Sequence, residues 1–307
     1  MKKAMYRQRV VYAGNTVDIS ETYPTQFGDL LTRERAPKIS RGTPEAMKRY
    51  NAELAARRLA QIMNENFIPD DIWVTFTYEK HNRPENYNDA CKVLSLFTRK
   101  LRKLYSRYGI ELKYVKGTAI GERGALHHHV VIPQGVPKRE ITKLWREHIG
   151  ASDKAHPPFY VELYPDGDFS SLASYIVDQI NTDVIDEKYV KKWIGSRNLK
   201  KPVEEIKDIE EIKWAEPPEP WEGYRIDTYS IKAGTNEITG RPYLFYRMVK
   251  IQDGITCRDD TGRLLRGEAA AEYLRKQNTE YIRENWCFIN SEGEVVFLDE
   301  INERQDE

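Results

Sequence analysis

Three consecutive histidines, His127, His128 and His129, lie inside an apolar segment and are the side chains best suited to metal chemistry in this chain. Successive side chains of a β-strand point to opposite faces, so we expect His127 and His129 to share one face and His128 to take the other. Two imidazoles on one face of a rigid strand are suited to hold a divalent cation. The alternative interpretation is three polar residues on a solvated strand face.

The basic residues are concentrated in two segments, although the formal net charge is zero. Residues 91–116 contain eight lysines and arginines against one acid, and residues 188–201 contain six and no acid. Such segregation favours a polyanion-binding surface, with a solvated helix face as the alternative. The candidate DNA contacts are Lys92, Arg99, Lys103, Lys116, Arg197, Lys200 and Lys201. Trp193 could stack on a base or anchor the core.

The elements that must position these residues alternate between strand and helix patterns. The predicted order is a strand at 72–78, a helix at 87–108, a hairpin through 111–120 and the histidine strand, a helix at 137–149, a strand at 159–163 and a helix from about 170 to 180. This β-α-β-β-α-β-α order predicts an α+β fold: a split βαβ (ferredoxin- or RRM-like) antiparallel sheet with helices on one face.

Composition changes along the chain predict the domain boundaries. We expect an N-terminal arm with a helix (1–67), a catalytic domain (68–202), an acidic Pro-rich linker (203–222) and a small C-terminal α+β appendage (223–307). The three cysteines have no paired or CxxC spacing, and no stretch resembles a signal peptide or a membrane span. These features favour a cytoplasmic protein.

Taken in order, these motifs resemble the replication-initiator branch of the HUH endonuclease superfamily. The resemblance is carried by the Trp-Val-Thr-Phe-Thr-Tyr strand at 73–78, the His-x-His strand after a hairpin, and a later helix with a tyrosine. The closer likeness is to rolling-circle replication (Rep) proteins of Gram-positive bacterial mobile elements and phages, through the stretches at 196–202 and 239–243. The resemblance implies an initiator that nicks and rejoins single-stranded origin DNA.

The same resemblance implies a role for each site residue. Tyr175 matches the nucleophile, which attacks a phosphodiester and leaves a 5′-phosphotyrosyl link. Mn²⁺ or Mg²⁺ held by His127 and His129 would polarise the phosphate. A tyrosine hydroxyl ordinarily has a pKa of about 10, so it needs help to lose its proton. Core packing is the alternative for Tyr175, and Tyr189 is the reserve nucleophile.

Two positions depart from the family pattern. Many relatives have a lysine three residues after the tyrosine, where this chain has Asp178. That acid could accept the tyrosine proton, bind the metal or be a plain surface residue. Relatives also place a glutamate seven or eight residues before the first histidine, where this chain has Ala119 and Ile120. Glu122, in the hairpin turn, is the nearest acid and the candidate third ligand.

Three functions therefore stay open. The first is a metal-dependent nickase and ligase that starts rolling-circle replication, and the second is a cleavage-deficient origin-binding protein of the same fold. A zinc metallohydrolase is the third, although the chain lacks a His-Glu-x-x-His pattern. No Walker-type phosphate loop is present, so we expect origin DNA, a host helicase and a host polymerase as partners, and no membrane.

Overall fold

The computed structural model describes residues 6–22, 43–121, 124–180, 193–210, 216–235, 242–289 and 295–297. The chain divides into two compact units, one formed by residues 48–201 and the other by residues 1–47 together with 202–307. Within these described ranges, no helix is long and apolar enough to cross a bilayer.

Strands and helices alternate through the first half of the chain, and strands dominate the second. The strands are β1 (Tyr6–Ala13), β2 (Thr16–Thr22), β3 (Ile72–Thr77), β4 (Val115–Ile120), β5 (Leu126–Ile132), β6 (Phe159–Glu162), β7 (Ile194–Gly195), β8 (Val203–Ile209), β9 (Tyr224–Thr235), β10 (Pro242–Lys250), β11 (Thr256–Arg258), β12 (Leu264–Arg266), β13 (Cys287–Ile289) and β14 (Val295–Phe297). The helices are α1 (Pro44–Asn66), α2 (Tyr87–Arg107), α3 (Lys138–Ile149), α4 (Ser170–Gln179) and α5 (Glu268–Glu284), with a 3-10 turn at Lys80–Asn82.

The unit formed by residues 48–201 is built on a five-stranded sheet in the order β6-β3-β5-β4-β7. All of its strand pairings are antiparallel. With α2 between β3 and β4, and α3 between β5 and β6, the four long strands have the order of a split βαβ fold. The predicted α+β class and split βαβ architecture are therefore confirmed.

Helices cover both faces of this sheet, because the strands are apolar on both sides. Val130 and Ile132 of β5 face α2 and α3, which cross between the strands as predicted. Val131 of β5 and Val115 of β4 point the other way, into a core shared with α1 and α4. The prediction of helices on one face is therefore wrong, and the second helical layer places α4 on the same face as Val131.

Helix α2 follows from local rules that the sequence displays. The side chain of Asn86 accepts a hydrogen bond from the backbone N–H of Asp89 at 2.9 Å and caps the first turn. Leu94 and Leu101 lie on the buried stripe, at the helical spacing that faces a core. The helix ends before Gly109, whose positive φ of 69° is favourable for glycine.

The second unit has a seven-stranded sheet in the order β14-β13-β9-β10-β2-β1-β8. Its core contains Ile19 and Met248 of the sheet and Ile282 of α5. Arg247 and Asp18 form a buried, bidentate ion pair within it, with Nε–Oδ1 and Nη2–Oδ2 distances of 2.6 and 3.0 Å. The predicted N-terminal arm is thus divided between the two units. Its strands β1 and β2 pair with strands from the later part of the chain. Its helix contributes Leu59 of α1 to the core beneath β4 and β5.

The first part of the predicted acidic linker is a strand, which corrects that prediction. Residues 203–209 form β8 and pair with β1 along its length. Two of its three acids have basic partners on β1: Glu204 lies 2.7 Å from Arg9, and Asp208 lies 3.5 Å from Arg7. Charged residues are common on exposed edge strands because they discourage further strand pairing. Acidic composition alone therefore did not distinguish this strand from a solvated linker.

Candidate metal and nucleophile site

Strand β5 presents His127 and His129 on one face of the sheet, as the alternation of strand side chains predicts. His129 lies opposite Thr75 of β3 and Gly117 of β4, and His127 lies opposite Ala119. The two imidazole centroids are 4.8 Å apart, and the rings are nearly perpendicular at 86°. The pair of candidate metal ligands is thus held by the backbone ladder on both sides.

His128 points to the opposite face and is fully buried there. Its Nε2 lies 2.6 Å from the hydroxyl of Tyr78, and its Nδ1 lies 2.9 Å from the hydroxyl of Thr118. Burial, with a smaller contribution from the charge of His127, lowers the pKa of His128 to about 3. Both ring nitrogens therefore have partners, and His128 links β5 to Tyr78 and to Thr118 of β4 on the face opposite the candidate ligands.

The Nε2 atoms of His127 and His129 are the nitrogens that could bind a cation. Nδ1 of His127 donates to the carbonyl oxygen of Ala125 at 3.2 Å, so its Nε2 keeps a free lone pair. Nδ1 of His129 lies 3.3 Å from the hydroxyl of Thr75, whereas its Nε2 is buried without a hydrogen-bond partner among the described residues. Burial lowers the pKa of His129 to about 3, which keeps the ring neutral, as metal ligation requires. An orphaned, neutral imidazole nitrogen fits a metal ligand.

Tyr175 of α4 lies against His129 of this pair. Its ring centroid is 5.6 Å from that of His129, and 43% of the residue is exposed. The buried face of α4 is instead formed by Leu172, Ile176 and Val177. Tyr175 is therefore not a core residue, which rejects the packing alternative and leaves its hydroxyl-bearing ring at the edge of the site.

Trp73 of β3 completes the cluster and was missed by sequence reasoning. Its ring centroid lies 5.6 Å from that of His129 and 5.4 Å from that of Tyr175, edge-on to the tyrosine at 71°. The indole N–H is buried without a hydrogen-bond partner among the described residues. Trp73 is two residues before Thr75 on β3 and therefore shares a face with His129, but only the pairing of β3 with β5 reveals this.

Of the acids predicted for the site, Asp178 is the one that the structure describes, and it is not part of a metal-binding cluster with the histidines. Asp178 lies one helical turn after Tyr175 and is exposed. Glu122 and the reserve nucleophile Tyr189 lie outside the described residues. Among the residues that are described, no group of three histidine, cysteine or acidic side chains could together hold a metal ion. The two histidines are therefore the candidate ligands that the described part of the chain supplies.

The predicted DNA contacts fall in different places. Arg197, Lys200 and Lys201 are exposed. Their segment is tied to the end of α1, because the side chain of Asn66 bonds both backbone groups of Lys200. Trp193 packs partly into the core beneath α4, which favours its structural interpretation.

The other predicted contacts belong to the opposite face of the sheet. Lys92, Arg99 and Lys103 are exposed on α2, which packs on the face to which His128 points. Lys116 is 5% exposed and lies beneath α2, with Nζ 3.2 Å from the hydroxyl of Thr98. Its prediction as a surface DNA contact is wrong, because its register opposite Val130 turns it inward.

Lys116 supplies a prediction about stability and pH. Burial first, and then the charges of Arg102 and Arg99, lower its pKa from 10.5 to about 8. Between pH 8 and 10.5 the folded state therefore binds fewer protons than the unfolded state, so stability rises with pH in this window. We expect Lys116→Met to raise the free energy of unfolding at pH 7 by on the order of 2 kcal/mol, and to remove that rise.

Urea unfolding at several pH values, followed by circular dichroism, measures this effect. Lys103→Met, which removes an exposed lysine from the same region, is the matched control and should leave the pH profile unchanged. A Lys116→Met profile identical to that of the unmodified protein would show that the buried amine carries no desolvation cost.

Comparison with known proteins supports a role in replication. Residues 71–177 match the model of a family described as replication-associated protein ORF2. The matched segment begins just before β3 and ends within α4, so it encloses Trp73, both histidines and Tyr175. No curated protein and no solved structure matches the chain significantly. The family agrees with the resemblance to rolling-circle Rep proteins that the sequence displays.

Proposed function

We propose, from the premise that residues 71–177 match the replication-associated protein ORF2 family, that this protein starts rolling-circle DNA replication by cutting one strand at an origin. It would be a site-specific, metal-dependent endonuclease and ligase with Tyr175 as nucleophile. The observation that carries the proposal is the row of rings on one sheet face, in which Tyr175 lies 5.6 Å from His129 and His129 lies 4.8 Å from His127.

The reaction proposed for Tyr175 needs no external energy source, because the phosphodiester bond that breaks is replaced by a phosphotyrosyl bond. Its hydroxyl oxygen attacks the scissile phosphorus, and the bond from phosphorus to the 3′ oxygen breaks. The tyrosine proton leaves to solvent or a nearby base, and the departing 3′ oxygen takes up a proton. The downstream strand stays attached through a 5′-phosphotyrosyl bond. Attack by a 3′-hydroxyl on that bond reverses the sequence, rejoins the strand and frees the tyrosine.

His127 and His129 would hold the divalent cation, Mn²⁺ or Mg²⁺, through their Nε2 atoms. When bound, the cation supplies Lewis-acid polarisation of the phosphate that Tyr175 attacks. The two rings are fixed by the ladder on both sides of β5 and by the contacts of their Nδ1 atoms. Such second contacts orient an imidazole before the metal arrives. The third ligand, for which Glu122 is the candidate, is part of the same proposal.

A covalent-adduct assay tests the proposed function. The full chain is incubated with Mn²⁺ and single-stranded oligonucleotides tiled along the DNA that surrounds its gene. We expect a 3′-labelled oligonucleotide to give a labelled, denaturant-resistant protein band, and a 5′-labelled one to give only a shortened free product. EDTA should abolish both. Absence of any adduct with Mn²⁺ and with Mg²⁺ would overturn the proposal.

A cleavage-deficient origin-binding protein remains the second candidate. It is favoured by Asp178, which stands where a lysine is common in similar proteins and cannot stabilise an anionic phosphate. Binding to one oligonucleotide with no cleavage product under any divalent cation would support this candidate over the first.

Trp73 is proposed to position the nucleophile and gives a further prediction. Because its indole contacts both Tyr175 and His129, its loss should leave the tyrosine ring without lateral support. We expect Trp73→Ala to lower the rate of adduct formation about 100-fold, since a misplacement of about 1 Å can cost that much. Trp73→Phe, which keeps a ring, should recover most of the rate. Both variants should bind the oligonucleotide with nearly unchanged affinity in anisotropy titrations; equal rates for Trp73→Ala and the unmodified protein would contradict this role.

The proposal also defines the expected partners. The free 3′-hydroxyl left by the cut would serve as a primer for a host polymerase in the cytoplasm. A host helicase would unwind the duplex ahead of it, because the sequence contains no Walker-type phosphate loop.

A further inference from the structure

The outward face of α2 is strongly basic, and few acidic side chains neutralise its positive charge. Five cations within residues 99–107 define what we term the α2 basic surface: Arg99, Lys100, Arg102, Lys103 and Arg107. All five are exposed, and none of them is within ion-pair distance of a carboxylate in the described part of the chain. Lys92, by contrast, is paired with Asp89 at 2.9 Å. The α2 basic surface extends about 12 Å along the helix axis.

This surface lies across the sheet from the site of Tyr175. Leu94, Phe97 and Leu101 anchor α2 on the face to which His128 points. Tyr175 and the His127–His129 pair lie on the face that α1 and α4 cover. A strand bound at Tyr175 is therefore separated from the α2 basic surface by the full thickness of the sheet.

The titration of neighbouring groups reflects the same uncompensated charge. After burial, the charges of Arg102 and Arg99 help to lower the pKa of Lys116. Lys100 likewise helps to lower the pKa of His148, again after burial. Arg99, Arg102 and Lys100 thus each contribute a positive charge that neighbouring groups experience and that an approaching polyanion would neutralise.

We propose that the α2 basic surface binds duplex DNA, at a site separate from the strand held at Tyr175. A duplex carries one negative charge per about 1.7 Å of its axis, enough to meet a compact group of five cations. Single-stranded sites typically add aromatic side chains on which bases stack. Between residues 92 and 107 the aromatic side chains, Phe97 and Tyr105, are both buried, whereas Tyr108, next to Arg107, is exposed; the surface therefore offers mainly charge. The proposal extends the proposed function but does not require that the chain cleaves DNA.

Two charge variants of the full chain test the separation. The first is Lys100→Gln/Arg102→Gln/Arg107→Gln on the α2 basic surface, which avoids the residues named above as candidate contacts of the cleaved strand. The control is Lys143→Gln/Lys276→Gln/Arg283→Gln, which removes the same charge from cations that already face a carboxylate. The probe is a fluorescein-labelled duplex of arbitrary sequence, about three helical turns long, titrated by anisotropy at several salt concentrations. Adduct formation with a short single-stranded oligonucleotide is measured in parallel.

We expect the α2 variant to bind the duplex about tenfold or more weakly at about 0.1 M salt, and the slope of log K against log salt to fall by about 3. The control should keep the affinity and slope of the unmodified protein, and both variants should cleave the short oligonucleotide normally. Equal duplex binding by the two variants would overturn the proposal, as would a parallel loss of oligonucleotide cleavage in the α2 variant. Tighter binding of polyglutamate than of the duplex to this surface would also overturn it, in favour of an acidic protein partner. If no protein cleaves but the duplex difference persists, the proposed nickase function fails and this inference stands.

Discussion

Tyr175→Phe should abolish the covalent protein–DNA adduct while leaving oligonucleotide binding intact. The substitution removes one oxygen, and the ring that contacts His129 and Trp73 stays in place. Because the proposed bond forms to that oxygen, no other atom of the side chain can replace it. We expect the rate of adduct formation to fall by at least about 10⁴-fold, the range seen when a covalent nucleophile is removed.

Tyr164→Phe is the matched control for this prediction, because Tyr164 is an exposed tyrosine of the same unit. It should form the adduct at the rate of the unmodified protein. An adduct that persists in Tyr175→Phe but disappears in Tyr189→Phe would transfer the nucleophile to the reserve candidate. An adduct that persists in both variants would show that neither tyrosine is the nucleophile.

Replacing His129 by glutamine should also cause a large loss of cleavage activity, because the proposed metal would lose one of its ligands. His129 is the more buried of the two candidate ligands, because the residue is 2% exposed, and its Nε2 is available because it has no described partner. A Lewis acid at a phosphoryl oxygen contributes several kcal/mol to the transition state. We therefore expect Mn²⁺-dependent cleavage to fall on the order of a thousandfold in His129→Gln, with a comparable loss in His127→Gln.

The metal prediction has a readout that does not depend on cleavage. Mn²⁺ binding to each variant can be measured directly by electron paramagnetic resonance of the free ion. His156→Gln, a change at an exposed histidine outside the cluster, should bind Mn²⁺ normally. Normal Mn²⁺ binding and cleavage in both His127→Gln and His129→Gln would exclude the strand pair as the metal site. Circular dichroism should verify that each variant is folded.

Features of the site that depend on a single strand or helix could be predicted from the sequence. Alternation along a strand separated His127 and His129 from His128, and the structure places them on the two faces accordingly. The order of strands and helices was sufficient to predict the split βαβ topology. Helical spacing was less decisive for Tyr175, since Leu172 and Ile176 nearby predicted packing equally well, and only the rotation of α4 on its core resolved the choice.

Features that depend on pairing between distant segments could not be predicted in this way. Lys116 belongs to a basic segment and was expected on the surface, but its register opposite Val130 buries it. Trp73 enters the site only because β3 pairs with the histidine strand. The second helical layer has the same origin, because α1 precedes the sheet in the chain and its docking face becomes defined only when Val131 of β5 and Val115 of β4 lie side by side. Long-range registers are set by the folded core and are weakly encoded in any local window.

Mapping the DNA-linked residue by mass spectrometry tests the central claim most directly. The adduct formed with Mn²⁺ is treated with nuclease and then trypsin, which separates the two candidate nucleophiles because it cuts after Lys188. The account predicts a nucleotide-bearing peptide that spans residues 155–188, with fragmentation placing the phosphate on Tyr175. A nucleotide on Tyr189, on any other residue, or on no residue of a protein that nevertheless cuts its origin would contradict it.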